Sequence, residues 1–335
     1  MSQEIKLIME RISRKLCLHH YATFVAFSTF LLLIAGALVT SNDAGLSVPD
    51  WPTSFGGFRI TPPTGWVGGV KFEHGHRLIA GTVALLALGL ALALWRWEVR
   101  RWVRRLGAVA VVAVVAQAVL GGITVLFYLP VDVSVAHACL AQLFFCIMVS
   151  LALFTRPGWR WDEPKVEDGS NPSLRQLATA TTALVFVQLM LGAAFRHHGF
   201  GIIPHMVGAA LVMAGVFCLL VRVLKDFRGR KALERATNFL AGLLVAQIFL
   251  GIASYLILLA HPAMQVEQPL PAYVVVSTTH VVVGALVLAA SLVLTYRAFQ
   301  FTSAHRAIEA AVANKSFPRK RESTEPASQV QRADV

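Results

Sequence analysis

The chain has 335 residues, 56% of them hydrophobic and only 14% charged, with a mean hydropathy of +0.63. A soluble domain carries nearer a quarter charged residues, so the apolar surplus must face lipid; disorder, coiled coil and a secreted disulfide scaffold are excluded. The formal net charge of +12 raises nucleic acid as a partner, a class that the placement of the charge removes.

Residues 1–20 show no signal-peptide cleavage pattern and lead straight into a full-length apolar run, so they are expected to form a cytoplasmic N-terminal segment before a retained first helix. Apolar stretches follow near 21–41, 76–96, 107–128, 134–155, 175–195, 204–224, 236–260 and 273–297. Each approaches or exceeds the roughly 20 residues that cross a bilayer core as a helix, which predicts an all-α integral membrane protein with eight transmembrane helices. The loop between the first two, about 42–75, is rich in Gly, Pro and Trp and is expected to be an ordered cap. Twenty-six of the 30 Lys and Arg residues fall in the N-terminal segment, the 96–106 turn, the 156–175 and 222–235 loops and the C-terminal end; only Arg59, Lys71, Arg77 and Arg196 fall on the other side. This asymmetry predicts a cell-membrane protein with both termini cytoplasmic, and the basic charge marks topology, not a nucleic-acid surface. Residues 301–335 are expected to be a disordered cytoplasmic tail. The four cysteines form no CxxC pair, and Cys139 and Cys146, seven apart on one helix, stand about 10 Å apart, beyond disulfide reach.

Three odd-numbered helices share a string: Gln117-x-x-Leu120-Gly121, Gln188-x-x-Leu191-Gly192 and Gln247-x-x-Leu250-Gly251, with a weaker form, Leu32-x-x-Ala35-Gly36, in the first. Each following helix carries a histidine near its outer end: His76, His137, His205 and His280. The unit is a helix pair repeated four times. It predicts two pseudo-symmetric four-helix bundles, residues 21–155 and 175–300, joined by a 156–175 linker and related by an axis along the membrane normal. The glycines are expected to serve close helix packing. The glutamines are expected to bond between helices, or else to line a cofactor.

A histidine within a span is costly and points to function. Polar glue, a proton relay or a divalent metal are weaker readings than heme, because no carboxylate recurs beside each histidine. Two imidazoles from different helices can hold an iron from opposite faces in an apolar bundle. His76 with His137, and His205 with His280, then make two sites, with Arg77 and Arg196 as propionate contacts or as interfacial cations. Glu73 stands three residues before His76, on the same helical face, and nothing like it precedes His205 or His280. It is either a reactive acid beside one iron or a helix-end charge paired with the dipole or with Arg77.

These residues resemble the heme A synthase family. The resemblance rests on Glu73-x-x-His76-Arg77, on Gly45-Leu46-Ser47-Val48-Pro49-Asp50-Trp51-Pro52 and on the outer histidines of helices 4, 6 and 8, and it covers about residues 20 to 300. It implies an oxidoreductase that converts a ring methyl of heme O to the formyl of heme A for terminal oxidase assembly. Heme O would lie in the N-half on His76 and His137, a heme b cofactor in the C-half on His205 and His280, and Glu73 would be essential. It further implies a heme O synthase upstream and an electron donor that the sequence does not identify. Many relatives carry a cysteine pair in the first outer loop, where this chain has Val48 and Ser54. The alternative is a non-enzymatic diheme b-type cytochrome. Placement of all four histidines toward one side disfavours that alternative for transfer across the membrane.

Overall fold

The computed structural model describes residues 3–261 and 269–304. Most of the expected 301–335 tail therefore lies outside the described residues. In chain order the elements are α1 (Gln3–Ser41), α2 (Val70–Trp97), α3 (Arg101–Leu126), α4 (Val131–Thr155), β1 (Val166–Asp168), α5 (Leu174–Arg196), α6 (Ile202–Asp226), α7 (Lys231–Ala260), α8 (Pro271–Phe301) and β2 (Thr302–Ala304). Among the described residues eight helices are long and apolar enough to cross a membrane. The protein is a multi-pass, all-helical membrane protein, as the apolar runs predicted.

Helix ends depart from those runs where polar residues extend a helix past its apolar stretch. α1 runs from Gln3, so the expected N-terminal segment is largely the start of that helix, with Glu10 and Arg14 paired one turn apart. α2 begins at Val70, which shortens the first loop to residues 42–69. Gly65 and Gly68 have positive φ (74° and 52°) just before it, a backbone that an ordinary side chain resists and that stops the helix from starting sooner. Glu73 then falls in the first turn, where a carboxylate complements the helix dipole.

In the N-half, α1 and α3 each pack against both α2 and α4, closing a ring of four helices; in the C-half, α5 and α7 each pack against α6 and α8. Leu18, Val25, Leu90, Leu94 and Met148 fill the first ring, and Leu174, Leu219, Leu233, Leu240 and Leu294 the second. The rings meet where α8 packs on α1 and α4, and α4 on α5, around Leu33, Phe145, Ala285 and Ala289. Burial separates the helices by position: 61% of the α8 span window is buried against 6% for α7, so α8 forms the seam and α7 faces outward.

Because the helices run alternately up and down, the starts of the even helices and the ends of the odd ones share one end, and this end carries the four histidines. At the opposite end β1 and β2 pair in parallel, Val166 with Thr302 and Asp168 with Ala304. The Asp168 carboxylate accepts hydrogen bonds from the backbone N–H groups of Leu174 and Ser170 and from Arg222, fixing the start of α5 to α6.

Candidate functional site

Each histidine ring is seated against the glycine that the repeat places on the preceding helix. A Cβ added at Gly36 or Gly121 would stand 3.1 Å from Cε1 of His76 or His137; at Gly192 or Gly251 the distance to Cε1 of His205 or His280 would be 2.8 Å. In all four cases the three nearest atoms belong to that one imidazole, in the order Cε1, Nδ1, Nε2. The rings therefore present the same edge, Cε1 foremost, to the seat.

The glutamines bond between helices. Gln117 Nε2 donates to the backbone carbonyl of His137 (2.9 Å) and Gln188 Nε2 to that of His205 (2.8 Å). His280 Nδ1 lies 3.2 Å from the Gln247 carbonyl, which fixes Nδ1 as its protonated nitrogen, and its Nε2 lies 3.4 Å from the Gln247 amide nitrogen. His205 Nδ1 lies 3.0 Å from the Gln188 amide. Nδ1 of His76 and Nδ1 of His137 are buried without a partner among the described residues.

The ring centroids of His205 and His280 are 6.3 Å apart. Two metal–imidazole bonds of about 2 Å each, plus the ring radii, span such a gap. The donor set and the spacing fit a bis-histidine macrocycle.

Glu73 is 4% exposed. Its Oε2 accepts from the Val48 backbone N–H (2.8 Å) and its Oε1 pairs with Arg77 (2.6 Å). Arg77 is committed to the first loop: Nη1 donates to the carbonyls of Asp50 (2.6 Å) and Thr53 (3.0 Å), and Nη2 to that of Val48 (3.2 Å). Val48 and Ser54 thus both border one guanidinium. Arg196 lies at the seam between the halves. It donates to Ser41 of α1 and Ser277 of α8 (both 2.6 Å), and Ser41 bonds Thr278 (2.9 Å). No carboxylate is within ion-pair distance of Arg196 among the described residues.

The first loop is ordered, as its composition suggested. Asp50 is its hub, accepting from the N–H groups of Phe55 (2.6 Å) and Gly56 (2.9 Å) and from the Thr53 hydroxyl. Burial works against its charge, but these hydrogen bonds and the nearby Arg77 outweigh it and hold the carboxyl below the usual aspartate range. Trp51 lies flat against Gly122, beside the Gly121 seat, where any Cβ would overlap its ring. His74 is no part of the histidine set: it bonds the Ile60 carbonyl and packs on Trp66. The roles of Asp50 and of the glycine seats escape the sequence, although an Asp followed by Thr, Ser and two glycines is a recognisable turn-forming signal.

The fold and site thus define a membrane protein with one end built around four seated histidines. Residues 69–204 match the COX15-CtaA family, described as a cytochrome oxidase assembly protein. The segment includes Glu73, His76, Arg77, His137 and Arg196 and stops one residue before His205. The chain is 29% identical to a heme A synthase of Lysinibacillus sphaericus (strain C3-41) over 185 residues, 53% of this chain and 57% of that protein. It is 25% identical to one from Exiguobacterium sibiricum over 193 residues, 56% and 61% of the two chains. It is 30% identical to one from Maricaulis maris (strain MCS10) over 138 residues, 38% and 39%. The chain spans about half the length of these relatives.

Proposed function

We propose that the protein is a heme A synthase, oxidising the ring methyl of heme O to a formyl group through an alcohol in two successive oxidations. The observation that carries this is the difference between the halves: a buried carboxylate, Glu73, stands one turn from His76, and no acid stands in that relation to His205 or His280. The ring nitrogens differ in the same sense. His280 Nδ1 bonds a backbone carbonyl, the kind of partner that orients a permanent ligand, while Nδ1 of His76 and Nδ1 of His137 have no partner among the described residues, as suits a site that must release what it binds. On this reading His76 and His137 hold heme O, and His205 and His280 hold heme b. When bound, heme b would supply one-electron redox chemistry.

The chain's own residues supply position and charge. Val48 and Arg77 each donate to one Glu73 oxygen, so the carboxylate is fixed in place with lone pairs to spare for a proton from the substrate carbon or for stabilising positive charge there. Arg196, with hydroxyl and carbonyl partners but no carboxylate, suits a propionate at the seam; Arg77, held by the loop, has less to offer one. The loop over residues 42–69 excludes water from oxidised intermediates. The Lys and Arg excess in the loops of the other end supports an orientation with both termini on the cytoplasmic side of a cell membrane and the histidines at the outer side. A heme O synthase, an electron donor and a terminal oxidase are the partners this activity requires.

Replacing Glu73 with Gln removes the charge and keeps the shape. The variant is expected to retain heme while heme A formation falls about 100-fold or more, the scale of acid–base catalysis, with heme O or the alcohol accumulating by mass spectrometry. Near wild-type heme A would reduce Glu73 to a brace for Arg77.

A further inference from the structure

We infer that Gly36, Gly121, Gly192 and Gly251 are positioning residues for the four histidines, each absent a side chain so that one imidazole edge can rest on the helix backbone. This rests on the bis-histidine reading of the site but concerns residues to which that reading gives no role. A single side chain also covers Gly89 (Tyr21) and Gly215 (Thr181), so what marks these four is that the neighbour is the repeat's histidine each time, in the same orientation. Here all three nearest neighbours at each of the four positions are atoms of a single histidine ring, Cε1 foremost.

The other helical glycines show what the alternative looks like. Gly107 faces Leu94 and the Ala91 backbone, Gly215 faces Thr181, and Gly81 and Gly242 face open space. The seat sits one turn after the glutamine in α3, α5 and α7, and that glutamine grips the same histidine through its backbone carbonyl or its ring. Two points on one helix thus fix a ring carried by the next. The seats are tighter at Gly192 and Gly251, 2.8 Å, than at Gly36 and Gly121, 3.1 Å. A methyl group at the tighter pair must displace the ring, whereas at the looser pair a few tenths of an ångström suffice.

The test uses the full chain in detergent with Gly251→Ala, Gly192→Ala and Gly121→Ala, and Gly242→Ala as the control in α7. With heme bound, Gly251→Ala and Gly192→Ala are expected to alter the low-spin bis-imidazole absorption and electron paramagnetic resonance signals. They should also weaken heme retention about tenfold or more, the usual scale for changes around a ligand; Gly121→Ala should do less and Gly242→Ala nothing. On heme-free protein, thermal unfolding is compared for Gly251→Ala alone, His280→Ala alone and both together. Gly251→Ala should lower Tm only while His280 is present; without the ring it should be neutral or slightly stabilising, since Ala is the better helix former. An equal loss in both backgrounds, or none in either, would overturn the inference. Absence of a bis-imidazole signal in the unmodified protein would sink the heme reading instead, and the heme-free comparison decides the seats independently of it.

Discussion

Asp50 shows how one side chain holds a site together at a distance. Its carboxylate orders the turn whose carbonyls receive Arg77, and Arg77 in turn pins Glu73. A carboxyl with a folded pKa below its unfolded value of about 3.9 stabilises the structure fully above that value and progressively loses this contribution as pH falls through the folded pKa. Loop residues 48–57 should therefore be protected from hydrogen exchange at pH 5 and lose protection below about pH 4, with Asp50→Asn lacking that acid-dependent step. Unchanged protection across that range would remove Asp50 as the hub. The Glu73–Arg77 pairing was open to the sequence, but the hold of Arg77 on the loop is not marked there, because it is made to main-chain carbonyls, and carbonyls belong to every residue alike. Glu73 and the histidines were legible, since ionisable groups within an apolar run stand out and their spacing of three or four residues defines a helical face. The glycine seats were half legible: their period was plain, but spacing along one helix does not say which atom of a neighbour rests there.

At the level of elements, the apolar runs located all eight helices but not their ends, because a helix continues into polar residues once its first turns are made. The three-residue strands β1 and β2 left no trace, being too short for any alternation to register. The loop over residues 42–69 proved ordered, and its Trp51 lies against α3 beside the His137 seat. It belongs to the N-half, so on the proposed assignment of hemes Trp51→Ala should release heme O from that half while leaving the C-half heme spectrum intact; equal damage to both would make the loop a general stabiliser. Ser54 is 7% exposed, which makes it a poor labelling site for this loop, but Thr64 is exposed. A cysteine at Thr64 should react with an impermeant maleimide from outside intact cells, and one at the exposed Lys165 should not. The reverse pattern would invert the orientation read from the basic loops.

For the whole molecule, the clasp between β1 and β2 decides where the two halves are separable. Both strands lie on the C-half side of Lys165, so the second bundle closes its own end, and residues 157–165 are the covalent joint. Across that joint Trp161, on the N-half side, packs on Tyr296 of α8, and Phe154 does the same; at the other end Arg196 ties α5 to α1. Noncovalent contacts therefore hold the seam at both ends, and a break at Pro164 should be tolerated. On the proposed assignment, fragments 1–164 and 165–335 produced together should copurify and carry both hemes, while each alone should still insert through its own four apolar spans but unfold at lower temperature in detergent. Failure of the pair to associate would mean that the joint itself sets the geometry between the bundles. Success would make the protein a genetically divisible pair, in which the reacting half and the redox half can be exchanged, titrated or labelled apart.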